Sequence, residues 1–242
     1  MRAPLRLLIG VVAAGIAVGG ISACDLVRKN FEDDTTVSEK ITSVRLDSGS
    51  GAITLRGKES ATTVGLHRYV EYGGDRPQGT THRVDNGVLV LSGCGDDCSV
   101  AYTVDLPEGL PVTGETSSGE VKLSRTGPVT VATSSGAIGL TDIHGPVDVR
   151  ASSGAITGRG LKDGPVKAKS SSGTIDLTMS APQDVRAEAR SGAVTVTTPD
   201  GPYHVTARSD SGGKDIAVSD DPSAAHRLDL STSSGAISVK RS

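Results

Sequence analysis

Ser134-Ser135-Gly136-Ala137-Ile138-Gly139-Leu140 is the phrase that decides the fold, because the chain repeats it on both sides. Copies stand at 48–55 (SGSGAITL), 117–123 (SSGEVKL), 152–158 (SSGAITG), 171–177 (SSGTIDL), 190–196 (RSGAVTV), 209–218 (SDSGGKDIAV, with an insertion) and 233–239 (SSGAISV). From Gly119 through Gly136, Gly154, Gly173, Gly192 and Gly212 to Gly235 the spacings are 17, 18, 19, 19, 20 and 23 residues. Self-similarity at such a period is the signature of stacked structural rungs.

One rung reads from Pro128. Val129 and Val131 alternate with Thr130 and Ala132, Ser134-Ser135-Gly136 turns the chain, and Ile138 and Leu140 alternate again. The pattern is strand, turn, strand. Glycine tolerates the positive φ of a tight turn, and serine hydroxyls can bond nearby backbone groups or the serines of neighbouring rungs. A lone rung cannot fold. Burying about four aliphatic side chains gains about 1.5–3 kcal/mol each, against about 1–2 kcal/mol of backbone entropy for each of some 18 residues. Lateral stacking at about 4.8 Å supplies the missing hydrogen bonds and a continuous core. The expected fold is therefore all-β: a single-domain β-solenoid over residues 41–242, with Gly51, Gly119, Gly136, Gly154, Gly173, Gly192, Gly212 and Gly235 as turn glycines.

Composition narrows the picture. The 242 residues include 31 glycines, one Phe and no Trp, which suits a thin core of Val, Ile and Leu. The five aromatic residues (Phe31, Tyr69, Tyr72, Tyr102, Tyr203) all fall outside the repeat phrases. Residues 1–23 carry Arg2 and Arg6, an apolar run, and Ile21-Ser22-Ala23 immediately before Cys24. This resembles a bacterial lipoprotein signal peptide, with Ile21 standing where that pattern has Leu. The resemblance implies cleavage before Cys24 and a fatty-acyl anchor (diacylglyceryl, palmitate) on its side chain, so that the membrane is a partner and the bulk of the protein lies outside the cytoplasm. An uncleaved anchor is the rival reading.

In an oxidising compartment, Cys94 and Cys98 are expected to form a disulfide closing the loop between VLVL (88–91) and VAYTVDL (100–106). Without Arg2 and Arg6 there remain 23 basic against 28 acidic residues, and nothing suggests nucleic-acid binding. Residues 24–40 read as a polar tether. The 68 residues between Gly51 and Gly119 require degenerate rungs or a hairpin insertion, bounded at about 56–116. Within it, Asn86-Gly87 predicts a two-residue hairpin with Val84 opposite Leu89, and GGDRPQGT (73–80) an exposed loop.

The passage VDLPEGLPVTGETSSGEVKL (104–123), followed by serial Ser-Gly-x-Ile/Val-x-Leu/Val phrases, resembles the bacterial putative-adhesin family of β-strand-repeat surface proteins, over about residues 40–242. The resemblance implies a repetitive β fold at the cell surface. It carries no catalytic residues to this chain.

Other chemistry finds little support. A nucleophile is needed once, whereas the serines recur about eight times, and no G-x-S-x-G occurs. His67, His82, His144, His204 and His226 are scattered without metal-ligand spacing. Asp96 with Asp97, and Asp210, Asp215, Asp220 and Asp221, are the candidates for a calcium-dependent polysaccharide-active site, but neither group has a calcium-loop pattern. The expectation is a structural or adhesion module without catalysis, cofactor or metal, its partner a cell-surface protein or glycan. The alternatives are an accessory regulator in envelope-stress signalling and a polysaccharide-active β-helix enzyme. Tyr69, Tyr72, the Asn86-Gly87 hairpin and the disulfide loop form the most distinctive patch, and Lys240 and Arg241 are expected at the open end.

Overall fold

A computed structural model describes residues 28–242; Cys24 and the signal segment 1–23 lie outside the described residues. The strands are β1 (Lys29–Val37), β2 (Ser43–Ser48), β3 (Ile53–Lys58), β4 (Val64–Tyr72), β5 (His82–Asp85), β6 (Val88–Ser92), β7 (Cys98–Pro107), β8 (Val112–Ser118), β9 (Val121–Ser124), β10 (Val129–Ser135) and β11 (Ile138–Thr141). They continue with β12 (Val147–Ser153), β13 (Ile156–Leu161), β14 (Val166–Ser172), β15 (Ile175–Met179), β16 (Val185–Ser191), β17 (Val194–Thr198), β18 (His204–Ser211), β19 (Lys214–Ile216), β20 (Arg227–Ser234) and β21 (Ile237–Arg241). The chain is an all-β solenoid.

Each Ser-Gly turn sends one strand into each of two sheets, and equivalent strands pair in parallel, as Val129↔Val147 and Ile138↔Ile156 do. The sheets run β1-β4-β7-β3-β9-β11-β13-β15-β17-β21-β19 and β18-β20-β16-β14-β12-β10-β8-β2-β6-β5. Between them lies a thin aliphatic core: Val129, Val131, Ile138 and Leu140 of one rung are all buried, as are most of their counterparts along the stack, the outermost rung β18/β19 excepted. Outward residues alternate with these and are polar, so one strand pattern serves both faces.

The turn glycines form a single column. A Cβ on Gly136 would collide with the carbonyl of Gly119, one on Gly154 with Gly136, and so on through Gly173, Gly192 and Gly235 to Gly212. Gly173 and Gly212 do not adopt positive φ, yet they collide in the same way. Close approach of successive turns, more than turn conformation, is what requires glycine. Three residues before each glycine sits an inward residue; Ser170, Thr232 and Ser209 there donate hydroxyl hydrogen bonds to the carbonyls of Gly154, Gly192 and Gly235 in the neighbouring rung.

Chain order and stacking order part company at both ends. The segment read as an insertion contains a full rung, β6 with β7, which stacks outside β2 with β3, while β8 and β9 stack on the other side of that pair. At the other end β20 and β21 lie between β16/β17 and β18/β19. The final repeat phrase is thus internal, and the irregular phrase at 209–218 closes the stack. Lys240 and Arg241 do not guard an open end: Arg241 donates from Nε to the Ala217 carbonyl and lies 3.7 Å from Asp200. The edge strands at this end are β18 and β19; on β18, Asp220 Oδ1 accepts from the Val205 amide at 2.9 Å and Lys214 Nζ donates to the Ala207 carbonyl at 3.4 Å.

Much of the stretch read as a tether is ordered. Residues 29–37 form β1, antiparallel to β4 from Lys29↔Tyr72 to Val37↔Val64. The Asn86-Gly87 hairpin has the expected register, with Val84 opposite Leu89.

Candidate functional site

The one cluster of chemically distinctive side chains lies at the β1 end. Period-2 alternation points Val64, Leu66, Arg68, Val70 and Tyr72 of β4 inward and His67, Tyr69 and Glu71 outward. Tyr69 and Tyr72, expected in one patch, therefore stand on opposite faces. Arg68 occupies a core position and is 7% exposed. β1 makes this tolerable: its inward face is Phe31, Asp33, Thr35 and Val37, and Asp33 grips the Arg68 guanidinium through both carboxylate oxygens. Arg68 also donates to Thr81 Oγ1 at 3.2 Å and to the Gly79 carbonyl at 3.4 Å. A charge in a core needs a partner and filled hydrogen bonds, and this one has both.

Aromatic residues complete the cap. The Phe31 ring is covered by the guanidinium groups of Arg68 at 5.4 Å and Arg76 at 4.0 Å, and meets Tyr72 edge-on at 5.9 Å. Tyr102 is fully buried; its hydroxyl lies 2.7 Å from the carbonyls of Thr81 and Ser92. Tyr203 plugs the opposite end, its hydroxyl accepting from Thr198 Oγ1 and donating to the Pro199 carbonyl. Residues too wide for the repetitive interior thus close it at its two ends.

The electrostatics follow from this packing. The Arg68 hydrogen bond holds the Asp33 carboxyl below the usual carboxylate range. Burial pushes the Tyr102 hydroxyl up to about 12. Burial also lowers His82, whose Nδ1 has no hydrogen-bond partner.

Cys94 and Cys98 are disulfide-bonded, with Cα atoms 5.7 Å apart. The loop they close replaces the Ser-Gly turn of its rung: a Cβ on Gly51 would strike the Val100 carbonyl just beyond it. The acidic candidates do not converge. Asp97 pairs with Arg28 at 3.2 Å at one end of the stack, while at the other Asp220 holds the Val205 amide and Asp221 accepts from the amide and hydroxyl of Ser223. Among the described residues no three His, Cys, Asp or Glu side chains are placed to hold a metal ion. Of the histidines, His204 and His226 meet only through the backbone, the His204 amide donating to the His226 carbonyl at 2.9 Å, and His67 contacts Asp34 at 2.9 Å on the outer face.

The outer faces are ion-paired ladders. On β12, β14, β16, β20 and β18 the pairs Arg150–Asp148, Lys169–Glu188, Arg186–Asp229 and Arg208–Asp229 link side chains within and across rungs. A depression of about 450 Å³ on this face is an open saddle lined by Thr113, Gly114, Thr130 and Ala132. Sequence reading missed the Asp33–Arg68 clamp because its two members lie 35 residues apart and a strand containing Asp33 is recognisable only once Arg68 is placed.

A family model described as Toastrack DUF4097 matches residues 36–240. No curated protein matches the chain. Among solved structures, a putative cell adhesion protein from Clostridium sporogenes is 15% identical, with 88% of this chain and 100% of that one covered and a TM-score of 0.43. A putative adhesin from Parabacteroides distasonis is 14% identical over 87% of this chain and 97% of its own, with a TM-score of 0.46. Another from Bacteroides fragilis is 17% identical over 88% and 97%, with a TM-score of 0.41.

Proposed function

We propose, from the premise that this chain belongs to the Toastrack DUF4097 family, that it is a non-catalytic structural or adhesion module held at the cell surface by a lipid on Cys24. The observation carrying the structural part is the filled interior: the inward residues form one buried cluster from Val37 to Val239, so contact with a partner falls to the outward ladders and the two ends. Rigid parallel stacking suits display of a wide polar surface, and the ion-paired ladders give that surface a fixed pattern for a cell-surface protein or glycan. The anchor rests on the sequence around Cys24, with Arg2 and Arg6 ahead of an apolar run. Two acyl chains hold a protein durably where one would be marginal.

The test compares wild type with Cys24→Ala in cells fed labelled palmitate. Wild type should incorporate label and fractionate with membranes, while the variant should do neither. Cells carrying the variant should also lose surface attachment. Unlabelled, soluble wild-type protein overturns the anchor, and attachment unchanged in the variant overturns adhesion.

A further inference from the structure

We infer that the disulfide-loop end of the solenoid is its membrane-facing end and that the β18/β19 end is presented outward; this rests on the lipid-anchor reading above. Three segments gather where the chain enters the fold. Arg28 bonds Asp97 of the disulfide loop at 3.2 Å, Lys29 Nζ donates to the Gly74 carbonyl at 2.9 Å, and the Gly73 amide donates to the Asp97 carbonyl at 3.0 Å. β1 is also fastened along its whole length to β4, and by Asp33 to the buried Arg68. The entry point is therefore fixed to the body of the protein and cannot act as a swivel.

Chain length then limits the distance. From Cys24 to Arg28 is four residues, which span at most about 14 Å when fully extended. A tether of that reach keeps Arg28 within about 14 Å of an acylated Cys24, and loops 73–80 and 94–98 a side-chain length from Arg28 and Lys29, whereas a free segment through residue 40 would have let the domain drift. In the other direction nine rungs separate the ends, eight steps of about 4.8 Å or roughly 38 Å.

Surface chemistry decides between standing and lying. The edge running away from the anchor is the turn column, whose outward residues Ser135, Ser153, Ser172, Ser191, Ser234 and Ser211 are exposed, with Arg190 a cation among them, and the sheet face beside it pairs Arg150, Lys169, Arg186 and Arg208 with carboxylates; neither offers apolar bulk. Interfacial binding scales with buried apolar area and attraction to anionic headgroups, so on an uncharged bilayer these polar surfaces have little hold on lipid. At the anchored end Arg28, Lys29 and Arg76 stand beside Asp75, Asp96 and Asp97, so charge is balanced there and the short tether is what holds this end at the membrane. The partner assigned to it is the phospholipid surface itself.

The chain contains no Trp, so one inserted indole is the sole donor of its kind. Full-length protein purified with its lipid is reconstituted into phosphatidylcholine vesicles bearing a headgroup-linked energy acceptor, with Gln78→Trp, Ser135→Trp or Ser211→Trp; all three sites are exposed. Transfer should fall in that order, by roughly tenfold or more from first to last, given the roughly 38 Å that separate the two ends along the stack. Equal transfer from the three, or a reversed order, overturns the orientation while leaving the anchor intact. Failure of the lipid-bearing protein to bind vesicles, judged against Cys24→Ala, overturns the anchor and the orientation with it.

Discussion

Two glycines three residues apart in the same phrase should respond oppositely to the same substitution. A Cβ on Gly136 would run into the carbonyl oxygen and carbon of Gly119, which are backbone atoms held by their own ladder. On Gly139 it would meet Lys122 Cγ and Thr157 Oγ1 at 3.7 Å, which is ordinary contact. Gly136→Ala can be relieved by opening the gap, at the expense of the Gly119 N–H to Ser135 and Val121 N–H to Ala137 hydrogen bonds of 3.0 and 2.9 Å, each contributing about 1 kcal/mol net. Otherwise it is absorbed as overpacking at about 1–3 kcal/mol. The two routes together span about 1–3 kcal/mol, or roughly 2–12 °C in Tm for a domain of this size. Gly139→Ala should be neutral or stabilise by up to about 1 kcal/mol, since alanine restricts the unfolded chain. Thermal unfolding followed by circular dichroism at 218 nm, about the usual strand minimum for a β-rich fold, would measure both. Equal destabilisation by the two variants, or Gly136→Ala indistinguishable from wild type, would refute the close-approach account of the column.

Thr133 and Thr232 occupy equivalent inward positions, but Thr232 Oγ1 reaches the Gly192 carbonyl at 2.9 Å and Thr133 Oγ1 has no partner. Thr133→Val should stabilise by about 1 kcal/mol and Thr232→Val should destabilise by a similar amount, both read from urea unfolding. Asp33→Ala leaves Arg68 buried without its anion; because the Asp33 side chain is 36% exposed, the loss should be about 2–3 kcal/mol, below the usual 3–5 for a fully buried pair, and Arg68→Met should recover part of it in the double variant. The cap should also set the pH range. Asp33 and His82 have folded pKa values below their unfolded ones, so their stabilisation is lost as pH falls, through about 6.5 for His82 and below about 4 for Asp33. Tyr102 is raised to about 12, so its contribution is lost as pH climbs above about 10. Maximal stability between roughly pH 6.5 and 10 is expected from hydrogen exchange of β1 and β4 amides, and Asp33→Asn should abolish the loss below about pH 4 while leaving the limb near 6.5 in place. Finally, Asp220→Ala combined with Lys214→Ala uncovers the β18 edge and should produce end-to-end association visible by light scattering.

The repeating rungs were legible because each carries its own complete signal: alternating aliphatics, a hydroxyl pair and a glycine that cannot be anything larger. Nothing in rung 128–140 depends on a distant residue for its reading. The cap was illegible for the converse reason. Only Phe31 and Val37 on the inward face of β1 are apolar, and Asp33 becomes an interior residue solely through Arg68, which a scan for apolar alternation does not connect to it. The disulfide was readable from the spacing, since two of the three cysteines lie four residues apart between two strand-like runs.

The exchanged order of the last two rungs also has a physical basis in side-chain size. The inward residues of β20 are Leu228, Leu230 and Thr232, all buried, whereas those of β18 are Val205, Ala207 and Ser209, all half-exposed. An internal rung is covered on two sides and a terminal rung on one, so at about 25 cal/mol per Å² the larger pair gains more from the internal place. Chain order would put Val205 and Ala207 inside and leave two leucines at the wet end. The chain instead lays β18 and β19 down one place further out, crosses that end with residues 217–226, and returns to fill the gap with its most apolar late phrase. Asp220, from the crossing segment, then satisfies the exposed Val205 amide that the arrangement leaves at the edge. The terminal charges Lys240 and Arg241 have no such role, because the strand that carries them is flanked on both sides by β17 and β19.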